Sequence, residues 1–340
     1  MIAEAIRRVV DGQHLERTEM HAVFGEMMDT DVSDAMKSAL LVALRMKGET
    51  PAEITGAASA MRERVTPLAV DPEGVIDTCG TGGDGRGTFN ISTLAALVAA
   101  GAGAQVAKHG NRAVSSSCGS ADVLAALGVN IGIDAERMSA VLRETGIAFL
   151  FAPKLHPAMG AVAGIRRELG VRTIFNVLGP LTNPAFARRQ VMGVYSPRLV
   201  EVIAQVQLAL GAVHAMVVHS ADGLDEISVS APTRVSEVRD GAIVSYDLAP
   251  EDLGLGRHPL EEVLGGDTQT NAAIARGVLE GKLNGARRDI VIANAGAALY
   301  VAGLAATLRE GADLARESLD SGRALEKLRS LIATTNEVSP

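Results

Sequence analysis

The sequence predicts an α/β fold: a small all-helical domain followed by a larger α/β domain whose mostly parallel central sheet is flanked by helices. Three observations predict it. Residues 1–66 carry only helical patterns. From Gly74 onward, short apolar runs alternate with helical stretches, the pattern of strand–helix–strand units. The first run empties into a glycine-rich loop, Gly80–Gly87, where open α/β sheets receive ligands.

In chain order, Ile2, Ala5, Ile6, Val9 and Val10 form one helical stripe. Thr50-Pro51-Ala52-Glu53 is a capping box with Pro at the first helical position; it starts a helix to about Arg64. This helical domain spans 1–70, and its apolar face is expected to cover the rest of the chain or a second copy. The α/β domain spans 71–340. Val75–Cys79 reads as a strand, Ile91 to about Ala102 as a helix, and Gln105–Lys108 as a strand. Ser120 opens a helix to Leu127, Asp134 caps another to Thr145, and Ile147–Phe151 is a strand. Residues 157–169 read as helix, and Arg172–Asn176 leads into a Gly/Pro/Asn-rich turn, Leu178–Pro184. The helical residues from about 157–185 interrupt the alternation and are expected to join the N-terminal domain. Gln190–Tyr195 is a strand, Ser196-Pro197 starts a helix to Leu210, and Ala215–His219 is a buried strand. Asp240-Gly241, between Thr233–Arg239 and Ala242–Tyr246, signals a type I′ hairpin. Helices at about 268–280, 287–303, 309–319 and 321–334 complete the chain.

Composition narrows the function. The chain has 340 residues, 47% of them hydrophobic, with no Trp and 36 glycines. The net charge of −8 argues against nucleic acid as partner. Positive charge is instead local: Lys108, Arg112, Lys154, Arg166, Arg167 and Arg172 fall in the middle third. Two cysteines, Cys79 and Cys118, cannot build a disulfide framework and read as small space-fillers. The N-terminus opens as an amphipathic helix without a signal-peptide run. No stretch has the roughly 20 apolar residues of a membrane span. A cytoplasmic protein is the expectation.

The chemistry sits in two loops. Five of the eight residues Gly80–Gly87 are glycine. Gly80-x-Gly82-x-x-Gly85 matches the dinucleotide fingerprint literally, but the next helix begins only near Ile91 and the next strand ends in Lys108. That sign is wrong for a ribose diol. No Gly-Lys-Ser/Thr follows, so a Walker loop is excluded too. Asn90-Ile91-Ser92-Thr93 at a helix start makes one anion site; Gly80, Gly82 and Gly83 offer a second, nest-type site. In the second loop, Lys108 and Arg112 bring charge, Ser115, Ser116 and Ser117 bring hydroxyls, and Ser120 opens a helix. Together they suit a ligand with more than one phosphate. His109 reads as a packing or hydrogen-bonding residue, because its sequence neighbours supply no carboxylate to orient a catalytic imidazole. Asp225-Glu226 follows an apolar strand; two adjacent carboxylates there suit Mg²⁺ held partly by substrate oxygens.

These residues resemble the anthranilate phosphoribosyltransferases. The resemblance rests on Gly80–Thr93, Lys108–Ser116 with Gly119–Asp122, and His156–Met159. It continues through Arg167–Gly170, Arg172–Asn176, Gly179–Pro184, Asp222–Glu226, Arg288–Val291 and Ala297–Gly303. It implies a homodimer joined through the helical domain. It implies transfer of the phosphoribosyl group of 5-phosphoribosyl 1-diphosphate to anthranilate. By resemblance, Gly80, Gly83, Asp84, Thr88, Asn90, Ile91, Ser92 and Thr93 bind the donor, with Lys108, His109, Gly110, Asn111, Arg112, Ala113, Val114, Ser115, Ser116 and Ser120. Gly80, Asn111 and Arg166 contact anthranilate; Ser92, Asp225 and Glu226 hold Mg²⁺; Lys108, Asn111 and Arg166 support the transition state. The segment Gly160–Gly164 departs from the family's commoner basic or bulky residue and Pro, as do Ala125 and Ser220-Ala221 in their places. Pyrimidine nucleoside phosphorylases share the fold, but they need one inorganic phosphate and no carboxylate pair for diphosphate-bound metal. A non-catalytic nucleic-acid-binding relative would show a basic groove. The Asp225-Glu226 pair and the −8 charge favour the transferase over both.

Overall fold

A computed structural model describes residues 1–28, 31–113 and 117–337. Four helices open the chain: α1 (Ile2–Val10), α2 (Arg17–Met28), α3 (Asp34–Lys47) and α4 (Pro51–Arg62). The capping box forms both its bonds: Thr50 Oγ1 accepts from Glu53 N (3.2 Å), and Glu53 Oε2 accepts from Thr50 N (2.8 Å). Glu53 is wholly buried, and Lys47 Nζ at 2.8 Å answers its charge, as burial of a carboxylate requires.

A seven-stranded sheet follows, in the order β3-β2-β1-β4-β5-β6-β7. Its strands are β1 (Ile76–Asp77), β2 (Val106–Gly110), β3 (Ile147–Phe151), β4 (Arg189–Gly193), β5 (His214–Ser220), β6 (Thr233–Arg239) and β7 (Ala242–Leu248). The first five run parallel, β6 runs antiparallel to β5, and β7 antiparallel to β6. Asp240 and Gly241 both take positive φ (52° and 76°), the type I′ geometry of a two-residue hairpin. From β1 the chain builds outward to β2 and β3, then returns to build β4 and β5 on the other side. The topological switch lies between β1 and β4, and crevices outside such switch points receive ligands.

The remaining helices are α5 (Ile91–Gly101), α6 (Ser120–Leu127), α7 (Ala135–Thr145), α8 (Ala152–Leu155), α9 (Gly160–Leu169), α10 (Phe175–Leu181) and α11 (Leu199–Ala209), then α12 (Thr268–Leu279), α13 (Ala286–Val301), α14 (Leu308–Asp320) and α15 (Arg323–Asn336). No helix among the described residues is long and apolar enough to cross a membrane.

Two details differ from the sequence expectation. The strand expected over Val75–Cys79 pairs only at Ile76 and Asp77, because the chain leaves the sheet to form the first loop. The turn expected over Leu178–Pro184 is largely the helix α10, with Pro180 inside it. Burial of Phe175, Val177, Leu178 and Leu181 overrides the turn-forming composition. The Thr182 hydroxyl donates to the Leu178 and Gly179 carbonyls (both 3.1 Å) and ties off the last turn.

Two apolar cores result. One packs α5, α6, α7, α13, α14 and α15 against one face of the sheet. The other joins α1–α4 to α9, α10 and α11, and reaches the opposite sheet face at Met192, Ala215, Val217 and Val238. Strand residues alternate between them: Val191, Met216 and Val218 point to the first core, Met192, Ala215 and Val217 to the second. This is the period-two alternation of a strand.

Candidate active site

The carboxyl ends of β1, β2, β4 and β5 bring the site together. The first loop leaves β1 at Thr78 and ends at the head of α5. Thr81 N donates to the Gly193 carbonyl at the end of β4 (2.8 Å), and Thr81 Oγ1 accepts from Tyr195 N (3.0 Å). Arg172 donates to the Gly83 carbonyl, its guanidinium stacked 4.2 Å from the centroid of the Tyr195 ring. The loop is thus pinned on both flanks across the switch point.

Lys108, on β2, is buried. Its ammonium donates to the Thr78 carbonyl (3.3 Å), Thr78 Oγ1 (3.3 Å) and Ser92 Oγ (3.2 Å). An ammonium has three donors, so all three are engaged by protein oxygens. Lys108 therefore acts here as a fixed buried charge that ties the root of the first loop to the head of α5.

Facing it are the acids. Ser92 N donates to Glu226 Oε1 (3.2 Å), and Asp225 N donates to Asp84 Oδ2 (3.4 Å). Burial, then the charge of Asp84, pushes the Asp225 carboxyl up to about 7. Burial and the neighbouring Asp225 push Glu226 well above the ordinary carboxylate range. The close approach depends on one residue: a Cβ on Gly193 would lie 1.5 Å from the Asp225 carbonyl oxygen. Among the described residues, no three His, Cys, Asp or Glu side chains form a metal cage by themselves. A half-buried carboxylate pair with a hydroxyl beside it fits Mg²⁺, which keeps outer positions for substrate oxygens. Thr93 Oγ1, one residue on, is buried with no hydrogen-bond partner among the described residues.

The second loop continues from Gly110. Asn111 Oδ1 accepts from Arg112 N (2.7 Å), and the Asn111 carbonyl accepts from Ser120 Oγ (3.3 Å). Arg112 pairs with Asp122 (2.9 Å), whose other oxygen accepts from Ala113 N and Gly119 N. Val114, Ser115 and Ser116 lie outside the described residues. His109 is buried, and its Nε2 meets His156 Nε2 at 3.0 Å. One proton serves that bond, so one ring donates and the other accepts. Burial lowers His109 to about 3 and His156 to about 4, so both are neutral at pH 7. Arg166, on α9, is half-buried with its guanidinium 5.3 Å from the Phe175 ring centroid; burial lowers its pKa.

Some participants escape the sequence reading. Asp77 is wholly buried, accepting from His109 N (3.1 Å) and Gln190 Nε2 (3.2 Å); burial lifts its carboxyl to about 6. Gln190 also donates to the Pro180 carbonyl (2.9 Å) and accepts from Gln207. Residues 264–271 close over the first loop, with Thr88 bridged to Leu264 and Gly265 N donating to the Gly87 carbonyl (2.9 Å). The only sequence signal there is the Gly265-Gly266 pair before the helix cap Asp267.

Known proteins share this architecture. A glycosyl transferase family a/b domain model matches residues 72–325, and a glycosyl transferase family helical bundle domain model matches 3–65. The anthranilate phosphoribosyltransferase of Anaeromyxobacter sp. (strain K) is 58% identical over 335 residues, 98% of this chain and 99% of that protein. The chain belongs to the anthranilate phosphoribosyltransferase family. The family member from Pelotomaculum thermopropionicum is 52% identical over 100% of this chain and 98% of its own. The anthranilate phosphoribosyltransferase of Thermus thermophilus superposes with a TM-score of 0.92 at 47% identity, covering 98% of this chain and 99% of that one. The Saccharomyces cerevisiae anthranilate phosphoribosyltransferase in complex with PRPP and Mg superposes with a TM-score of 0.90 at 28% identity, covering 99% and 98%.

Proposed function

We infer that this chain transfers the phosphoribosyl group of 5-phosphoribosyl 1-diphosphate to the amine of anthranilate, releasing diphosphate, a Mg²⁺-dependent step of tryptophan biosynthesis. The observation that carries this reading is the half-buried acid pair Asp225–Glu226 set against Lys108 and the head of α5. Ser92, Asp225 and Glu226 would hold Mg²⁺. When bound, that ion neutralises charge on the departing diphosphate. The backbone of Gly80–Gly83 and the head of α5 orient the donor's phosphates. Thr93 Oγ1 adds a hydroxyl, and Lys108 balances the acids beneath. In the second loop, Asn111 through Ser120 supplies the other anion site. The acceptor's amine is neutral at pH 7 and needs placement rather than a strong base. Arg166 suits its carboxylate.

Three further assignments support this picture. The chain divides at about residue 70, with the helices of 157–185 joining the first part. It works in the cytoplasm. It pairs with a second copy through the helical domain, where Val10 and Met46 stand 68% and 84% exposed on two helices that pack together. Supplying the donor, Mg²⁺ and anthranilate and following loss of anthranilate fluorescence tests the reaction. Phosphorolysis of uridine or thymidine without that turnover would replace it with the phosphorylase reading.

A further inference from the structure

We propose that Asn271 is a positioning residue for the phosphoribosyl donor, locking the carboxamide of Asn90 and with it the relative register of the two donor loops. The proposal rests on the donor assignment of those loops given above.

An amide's oxygen and nitrogen are often interchangeable in a hydrogen-bond network. Here backbone groups fix both ends of a chain. Gly266 N can only donate, so it defines Asn271 Oδ1 as its acceptor (2.8 Å). Asn271 Nδ2 then donates to Asn90 Oδ1 (3.1 Å). Asn90 Nδ2 donates to the Cys118 carbonyl (3.1 Å), which can only accept. The direction runs one way, from residue 266 through 271 and 90 to 118. Asn90 holds the N-cap position of α5 without a side-chain capping bond, and Cys118 closes the second loop, so one amide links the two. Asn271 itself is 2% exposed.

The backbone around Asn271 reinforces the link. The Gly266 carbonyl accepts from Ser117 Oγ of the second loop (2.8 Å), while Gly265 N holds Gly87 of the first (2.9 Å). A Cβ on Gly265 would fall 2.5 Å from Asn271 Oδ1 and 2.7 Å from the Phe89 backbone. No side chain fits there, so the segment lies flush against both loops.

Asn271→Asp keeps the shape and places an acceptor against Asn90 Oδ1. The expected result is a rise of about tenfold in donor KM, the scale of one broken buried hydrogen bond, with anthranilate KM changed less than about twofold. Asn271→Ala is expected to show the same split, and serves if the Asp variant fails to fold. In an Asn90→Ala background, Asn271→Ala should cost less than about twofold more, because Asn271 acts through Asn90. A parallel rise in both KM values, an unchanged donor KM, or an undiminished loss in the Asn90→Ala background would each overturn the role. The wild type run alongside separates the two readings. If it is inactive, the donor assignment falls and the proposal with it; if it is active beside an unaltered variant, only the role of Asn271 falls.

Discussion

At the scale of single residues, the site gathers half-buried acids beside one buried lysine. Asp225 at about 7 and Glu226 above its ordinary range prefer a proton when no cation is near. The folded pKa values lie above the unfolded ones. Their stabilising effect is therefore present below the unfolded pKa, near 4, and is lost as pH rises through about 7. Metal competes with those protons. Mg²⁺ added with the donor analogue diphosphate should raise Tm more at pH 8 than at pH 5.5, readable by thermal-shift measurement. Replacing both acids, Asp225→Asn with Glu226→Gln, should lower kcat/KM by roughly a hundredfold or more and flatten the Mg²⁺ activation curve. Retained Mg²⁺ activation would remove these residues from the metal site.

The His109–His156 pair has the opposite sign. Its folded pKa values, about 3 and about 4, lie below the unfolded value near 6.5. That stabilisation is present above about 6.5 and is lost as pH falls toward 3. His156→Gln should therefore lose less Tm between pH 7 and pH 4.5 than the wild type does. Equal losses would show that the pair does not titrate on unfolding. Arg166→Ala should raise the anthranilate KM by about tenfold or more while leaving the donor KM within about twofold. Equal changes in both would take Arg166 away from the acceptor.

At the scale of elements, the strand ends do the placing. β1 contributes only Ile76 and Asp77 to the ladder, yet its carboxyl end starts the first loop. β4 ends at Gly193, where the missing side chain lets Asp225 pass. Gly193→Ala should fold poorly or displace the 222–226 turn; surviving protein should require more Mg²⁺ for half-maximal rate. An Mg²⁺ curve matching the wild type would show that the turn adapts. Much of this level is legible in sequence. The capping box, the Asp134 cap and the Asp240-Gly241 hairpin follow from local chemistry that tertiary context does not alter. The rest depends on distant partners. Pro180 hides α10 because its burial against the N-terminal helices is not written in residues 175–181. Asn271 is invisible for the same reason: its meaning comes from Asn90, 181 positions away. Asp77 reads as an ordinary strand residue until Gln190 and the His109 backbone close on it.

At the scale of the molecule, the proposed pairing would cover Val10 and Met46, both exposed on the helical domain. Met46→Lys should shift sedimentation from dimer toward monomer, because a charge buried in such an interface is costly. A wild type that sediments as a monomer would overturn the pairing itself. The composition reading also lives at this scale: the net charge is −8, yet Lys108 and Arg172 both reach the first loop.

The sheet is a party wall. Along β4 and β5, neighbouring residues serve different sides, Val191 one and Met192 the other. The two family models meet between residues 65 and 72, and evolution treats that seam as a joint between modules. Packing does not respect it. Shears applied there would leave α11 and one side of the wall bare, so the larger piece alone would be a sticky remnant rather than a working half. Engineers who wish to graft a new acceptor lobe onto this scaffold must carry α9 to α11 with it.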